Sequence, residues 1–150
     1  GNILRTRLLQ KFFPDSAFII LTRHPVAQLY GVKKWVANIP NWVILTNWVV
    51  AHQVVKHDTK FLKRVHFMSY ESLINNHDDE LIKLSRFIGL DLKKSATQLR
   101  PHVNQSYFEK WRDFRRNNLI SKLYAIFIES LFGPLIKRWG YSFSEVLRTR

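Results

Sequence analysis

Cysteine is absent from the 150 residues of this chain. That excludes disulfide staples, thiol nucleophiles and cysteine-ligated metals. It fits a reducing compartment without requiring one, so localisation stays open, with the cytoplasm favoured. Glycine is scarce as well: there are five, and none lies in a Gly-rich strand-to-helix turn. The six histidines include no His-x-x-x-His pair, and His52 and His57 are badly spaced for a single helix face. No metal site is expected from them. Acidic residues are few, 11 against 24 Lys and Arg, for a net charge of +13. Such an excess implies an anionic partner: nucleic acid, a membrane surface or a phosphorylated small molecule. Val36 to Val55 carries no formal charge, but Asn38, Pro40, Asn41, Asn47, His52 and Gln53 interrupt it. It reads as a loop and a buried helix, and no transmembrane segment is expected.

Apolar residues, by contrast, are plentiful. A hydrophobic content of 46% with 14% aromatics supports a single compact core in a chain of this length. Ile3, Leu4, Leu8, Leu9, Phe12 and Phe13 recur at helical spacing, so residues 3–12 are expected to be helix. Ala17 to Thr22 is a continuous apolar run of strand length, the pattern of a strand buried on both faces of a parallel sheet. A helix from Pro25 to about Val36 follows, then a loop. Asn41 is placed to cap a long helix carrying Trp42, Leu45, Trp48, Val49, His52 and Val55. Val65 to Ser69 is a second strand. Asn76 or Asp78 is placed to cap a helix that runs through Phe87 and ends at Gly89. Asp91 to Arg100 reads as loop with a helical turn. Gln105 to Arg116 reads as an aromatic and basic helix. Leu119 to Leu131 reads as an apolar helix stopped by Gly133-Pro134. Strands alternating with helices predict an α/β fold with a parallel sheet flanked by helices and a helical C-terminal part.

The most informative segment runs from Phe13 to Pro25. A turn at Pro14-Asp15 leads into the first strand, which delivers Arg23 to the start of a helix opened by Pro25. Proline there forfeits no helical hydrogen bond. A helix N-terminus offers unpaired N–H groups and partial positive charge, and a guanidinium offers a planar fork for two phosphate oxygens. The combination suits phosphate binding; an arginine pairing with a carboxylate at a strand end is the alternative.

Arg23-His24-Pro25-Val26-Ala27, with Lys34-Trp35 beyond it, resembles the 3′-phosphate motif of sulfotransferases that use 3′-phosphoadenosine 5′-phosphosulfate (PAPS). Asn2 to Gln10 resembles the helix that precedes that strand. Val65-His66-Phe67-Met68-Ser69-Tyr70-Glu71-Ser72-Leu73 is similar to the family's strand ending in Tyr-Glu-Asp-Leu, with Ser72 in place of Asp. Asp79 to Leu90 resembles the next helix, closing on Phe87-Ile88-Gly89-Leu90. Trp48, Ala51 and His52 fall on the intervening helix, as in bacterial-type members. The resemblance implies that Arg23 binds the 3′-phosphate and that Tyr70 contacts adenine. The family's serine after the arginine falls at Gly31, which lacks the hydroxyl but permits close backbone approach.

The same resemblance implies a P-loop-like parallel sheet whose first strand and Gly-Thr loop hold the 5′-phosphosulfate. With no such loop in the chain, residues 1–150 are expected to be the C-terminal portion of one sulfotransferase domain. The catalytic base is then expected upstream of Gly1, and the piece alone inactive. The implied reaction moves a sulfuryl group from PAPS to a hydroxyl or amine acceptor, which the sequence does not identify. A non-enzymatic basic α/β domain binding nucleic acid or another polyanion is the alternative.

Other candidates carry two readings. For Tyr70 the alternative is a strand-end ring packed on the sheet, and Glu71 reads as a partner for a nearby cation. His24 is either a second positive group for phosphate or a loop histidine beside proline. His52 is better read as a buried core histidine than as a cleft residue. Lys110, Arg112, Arg115 and Arg116 interleave with Tyr107, Phe108, Trp111 and Phe114. They fit a nucleic-acid surface or a solvated helix face, and the resemblance implies that Asn104 to Arg112 is a basic segment over the 3′-phosphate. Lys137, Arg138, Arg148 and Arg150 read as solubilising charges.

Overall fold

A computed structural model describes residues 5–90 and 103–148. The expectations for Ile3, Leu4, Asp91–Arg100 and Arg150 fall outside these. Two compact units share the chain: Gly1–Arg23 with Val50–Pro101, and His24–Val49 with His102–Arg150.

The first unit holds α1 (Thr6–Phe12), β1 (Phe18–Thr22), β2 (Val65–Ser69), α4 (Tyr70–Asn75) and α5 (His77–Ile88). The C-terminal half of the long helix α3 (Asn41–Asp58) and a 3-10 turn at Thr59–Phe61 also belong to it. β1 and β2 pair in parallel, with Thr22 opposite Ser69. Parallel neighbours need a crossover connection, and α2 (Pro25–Lys33) and α3 lie between the two strands in the chain. The coarse α/β expectation therefore holds, with a sheet of two strands among the described residues.

Burial of β1 on both faces does not hold. Ile20 is buried, but Ile19 and Leu21 on the other face are 46% and 50% exposed. A continuous apolar run shows that both faces of a strand can be covered; whether they are depends on what packs there. No described element closes over Ile19 and Leu21.

Polar staples tie this unit together. Gln10 donates to the Pro14 carbonyl at 2.8 Å and accepts from the Lys63 N–H at 2.9 Å, fixing α1 to the approach of β2. Thr6 donates to buried Asp58 at 2.8 Å. The Phe87-Ile88-Gly89-Leu90 segment acquires a physical basis too. Gly89 ends α5 in the left-handed region, φ 73°, where glycine has no Cβ penalty. Arg64 donates to the Phe87 carbonyl at 2.6 Å, and the Phe87 ring lies 5.2 Å from that of His66 on β2. Asn76 sits at the N-cap of α5, yet its side chain makes no capping bond.

The second unit comprises α2 (Pro25–Lys33), the N-terminal half of α3, α6 (Val103–Asn117), α7 (Leu119–Lys137) and α8 (Phe143–Arg148). Its core gathers Val26, Leu29, Leu45, Trp48, Trp111 and Ile128. Trp111 is fully buried and donates from Nε1 to Glu129 at 3.0 Å, so its one polar atom is satisfied. Asn41 is the first residue of α3 and not the residue before it. The expected stop at Gly133-Pro134 is overturned: α7 runs through Pro134 to Lys137. Proline there loses one backbone bond, a cost of about 3 kcal/mol in an ordinary helix interior. Burial of Phe132 and Ile136 on either side offsets it.

Tyr30 on α2 donates to the Lys110 carbonyl at 3.0 Å, and its ring stacks on Tyr107. Burial, and secondarily the Asp113 carboxylate, raises its pKa well above the ordinary value of 10.0. The folded state therefore holds the phenol neutral where the unfolded chain would ionise it. Its contribution to stability is complete below pH 10 and is lost as pH rises beyond that. Thermal melts are expected to show a steeper alkaline decline for wild type than for Tyr30→Phe. Parallel declines would show that Tyr30 ionisation does not load the fold.

Candidate functional site

The site grows from the register of β1 and β2. Because Thr22 and Ser69 are partners in a parallel pair, the next residue of each chain leaves the sheet at the same, C-terminal edge. Those residues are Arg23 and Tyr70. The Arg23 guanidinium carbon lies 4.3 Å from the centre of the Tyr70 ring, a cation–π stack. Open parallel sheets present their ligand crevices along this edge. The juxtaposition expected from the sequence is thus present.

One detail differs. Tyr70 is the first residue of α4 and not the last of the strand. Ser69 makes the turn: its Oγ accepts from the Ser72 N–H at 2.9 Å, and its hydroxyl donates to the Ser72 hydroxyl at 2.8 Å. Aspartate at position 72 would put a carboxylate where this hydroxyl pair sits. The serine instead completes a local cap, which fixes how Tyr70 enters α4.

A guanidinium over an aromatic ring is attracted by the negative face of the π-system. Bidentate recognition of phosphate uses the guanidinium's in-plane N–H donors. The ring also restricts the arginine's rotamers, reducing the entropy lost on binding. Arg23 and Tyr70 thus form a preorganised cation beside an aromatic hydroxyl.

Gly31 lies in α2, in the other unit. A Cβ built at that position meets nothing within 4 Å, and its backbone is helical. No steric demand for glycine exists there. The surroundings of Gly31 leave room for a side chain as well as for close approach to its backbone.

His24 takes up a structural part. It is buried, its Nδ1 accepts from the Val26 N–H at 3.2 Å, and its Nε2 lies 3.3 Å from the Ser142 carbonyl. An accepting Nδ1 requires the proton on Nε2, which then donates to that carbonyl; the ring is neutral. Phe108 and Tyr141 meet it edge-on. The reading of His24 as a positive group for phosphate is corrected: the ring caps α2. His52 is buried, in line with the core reading.

The basic cluster of α6 resolves similarly. Tyr107 and Trp111 are buried in the core and offer no stacking surface for bases. Arg112 donates to the Val146 carbonyl at 2.8 Å, and Arg115 pairs with Glu129 at 3.4 Å. Lys110 and Arg116 remain exposed on that helix.

A cavity of about 700 Å³ lies in the first unit, lined by Arg5, Arg7, Lys11, Gln10, Asp58 and Phe61 among others. Its one local signal is the i,i+4 spacing of Arg7 and Lys11, which places two cations on one face of α1. Arg23 and Tyr70 are not among its lining residues. No group of three or more His, Asp or Glu residues able to hold a metal occurs among the described residues.

A family model described as a sulfotransferase domain matches residues 37–130. That span contains Tyr70 and the Phe87–Leu90 segment; Arg23 and Gly31 precede it. No curated protein and no solved structure gives a significant match.

A double-mutant cycle on stability measures the stack itself. Arg23→Ala and Tyr70→Ala are expected to couple by about 0.5–1 kcal/mol, the range for partly exposed cation–π pairs. Additive effects in urea unfolding would show that the two side chains do not hold each other.

Proposed function

We propose that this chain, which belongs to the sulfotransferase domain family, binds the 3′-phosphate and adenine side of PAPS. The carrying observation is the Arg23–Tyr70 stack at the C-terminal edge of the paired strands. The chemistry of the pair fits the nucleotide. Arg23 offers in-plane donors to a 3′-phosphate, and Tyr70 offers ring surface and a hydroxyl to a purine edge. Gly31 is the further candidate that the resemblance implies, at the position where the family's hydroxyl contact falls.

The family's reaction transfers a sulfuryl group from the donor to a hydroxyl or amine acceptor. The acceptor's heavy atom attacks sulfur, a base takes its proton, and the bond from sulfur to the bridging phosphate oxygen breaks, leaving adenosine 3′,5′-bisphosphate. The contribution proposed for this chain is to bind and orient the nucleotide. The 5′-phosphosulfate cradle and the base are proposed to come from a segment outside these residues, as part of the same P-loop-like domain. The exposed Ile19 and Leu21 supply an apolar face against which such a segment would pack.

Titration calorimetry with adenosine 3′,5′-bisphosphate on the full-length protein tests the proposal. Arg23→Ala is expected to lose about 1.5–3 kcal/mol of binding, the worth of a hydrogen bond to a charged group. Lys137→Ala is expected to lose little, as an exposed lysine does. Equal affinities for the two variants would remove Arg23 from the site.

Gly31→Ser has its own expectation. The open surroundings of Gly31 and the better helix propensity of serine predict an unimpaired fold. The restored hydroxyl predicts modestly tighter bisphosphate binding in the same titration. A large loss would place the nucleotide against the Gly31 backbone.

A further inference from the structure

Helix α7 presents two apolar faces, and only one of them is used by the core. Ala125, Ile128, Phe132 and Ile136 are buried in the second unit. On the opposite face Leu119, Ile120, Leu123, Ile126, Phe127 and Leu131 recur at helical spacing and are exposed, Ile120 by 80% and Leu119 by 70%. The helix is 19 residues long with a mean hydropathy of 1.6, long and apolar enough to cross a membrane.

Its other face forbids that reading. Glu129 on α7 accepts from Trp111 and pairs with Arg115 on α6. Drawing α7 into hydrocarbon would strip Ile128 and Ile136 from the core and carry Glu129 along. A helix buried on one side and apolar on the other instead suits an interface, lying along it with one face immersed.

The charges on the exposed side are of a single sign. Lys122 and Lys137 flank the apolar stripe near its two ends, and exposed Arg116 and Arg138 sit just beyond each end of the helix. The one acid of the helix, Glu129, faces its partners in the core. A dimer seam through this face would set lysines of two copies near one another. A surface of anionic lipid headgroups neutralises them while its acyl boundary accepts the stripe. The chain's charge of +13 adds long-range attraction to the same surface.

We infer that the exposed face of α7 docks the protein on anionic lipid membranes, parallel to the bilayer plane. At ~1.5 Å per residue the helix lays about 28 Å of apolar stripe on the surface. This docking involves residues other than Arg23 and Tyr70 and stands apart from nucleotide binding.

Flotation of the full-length protein with vesicles tests it, comparing pure phosphatidylcholine with mixtures containing about a third phosphatidylserine. Binding is expected to be at least about tenfold tighter on the anionic vesicles and to weaken with added salt. Phe127→Glu and Leu123→Gln change exposed side chains, so thermal melting should match wild type. Each is expected to reduce vesicle binding about tenfold or more. Lys122→Gln with Lys137→Gln is expected to erase most of the preference for anionic lipid. The inference is overturned by absence of binding to anionic vesicles, by equal binding to neutral ones, or by folded Phe127→Glu and Leu123→Gln proteins that bind as wild type does. It is also overturned if these substitutions convert a dimer to a monomer and leave lipid binding unchanged, which would make the face a seam between copies.

Discussion

The parallel pairing of two five-residue strands is the constraint on which the candidate site depends. In a parallel pair both chains leave the sheet on the same side, so the residues just beyond Thr22 and Ser69 become neighbours. A one-residue slip would separate Arg23 from Tyr70 and would exchange the buried and exposed sets on β1. Burial of Ile20 and Met68, together with the bonds that Lys63 and Arg64 make just before β2, opposes such a slip.

Arg23 and His24 are adjacent in sequence and perform different physical tasks. Arg23 presents its guanidinium on an aromatic ring at a sheet edge. His24 spends both ring nitrogens internally, one capping α2 and the other reaching the Ser142 carbonyl. A protonated His24 would forfeit its cap. The strand end therefore contributes a single permanent cation, and the helix that follows keeps its start without requiring one.

The strand boundaries were legible because both strands are short apolar runs bounded by turn signals, and Val65–Ser69 matches to the residue. The Arg23–Tyr70 juxtaposition was legible from motif order, which encodes strand register indirectly. Other features were not. Exposure of Ile19 and Leu21 depends on what covers a face, which local pattern does not record. Continuation of α7 past Pro134 depends on tertiary burial of Phe132 and Ile136 outweighing a local penalty. The aromatic residues of α6 read equally as core or as a base-stacking surface, and only packing placed Trp111 inside. The second apolar face of α7 was hidden for the same reason: an all-round apolar helix normally signals complete burial.

Arg23, held on Tyr70, is proposed to receive the 3′-phosphate of a nucleotide. The most direct measurement is the NMR signal of the Arg23 side-chain Nε–H during titration of the full-length protein. Adenosine 3′,5′-bisphosphate is predicted to shift that signal strongly and to perturb the Tyr70 ring resonances. Adenosine 5′-monophosphate, which lacks the 3′-phosphate, is predicted to leave the Arg23 signal nearly unmoved. Equal shifts with the two nucleotides, or none with the bisphosphate, would contradict the account.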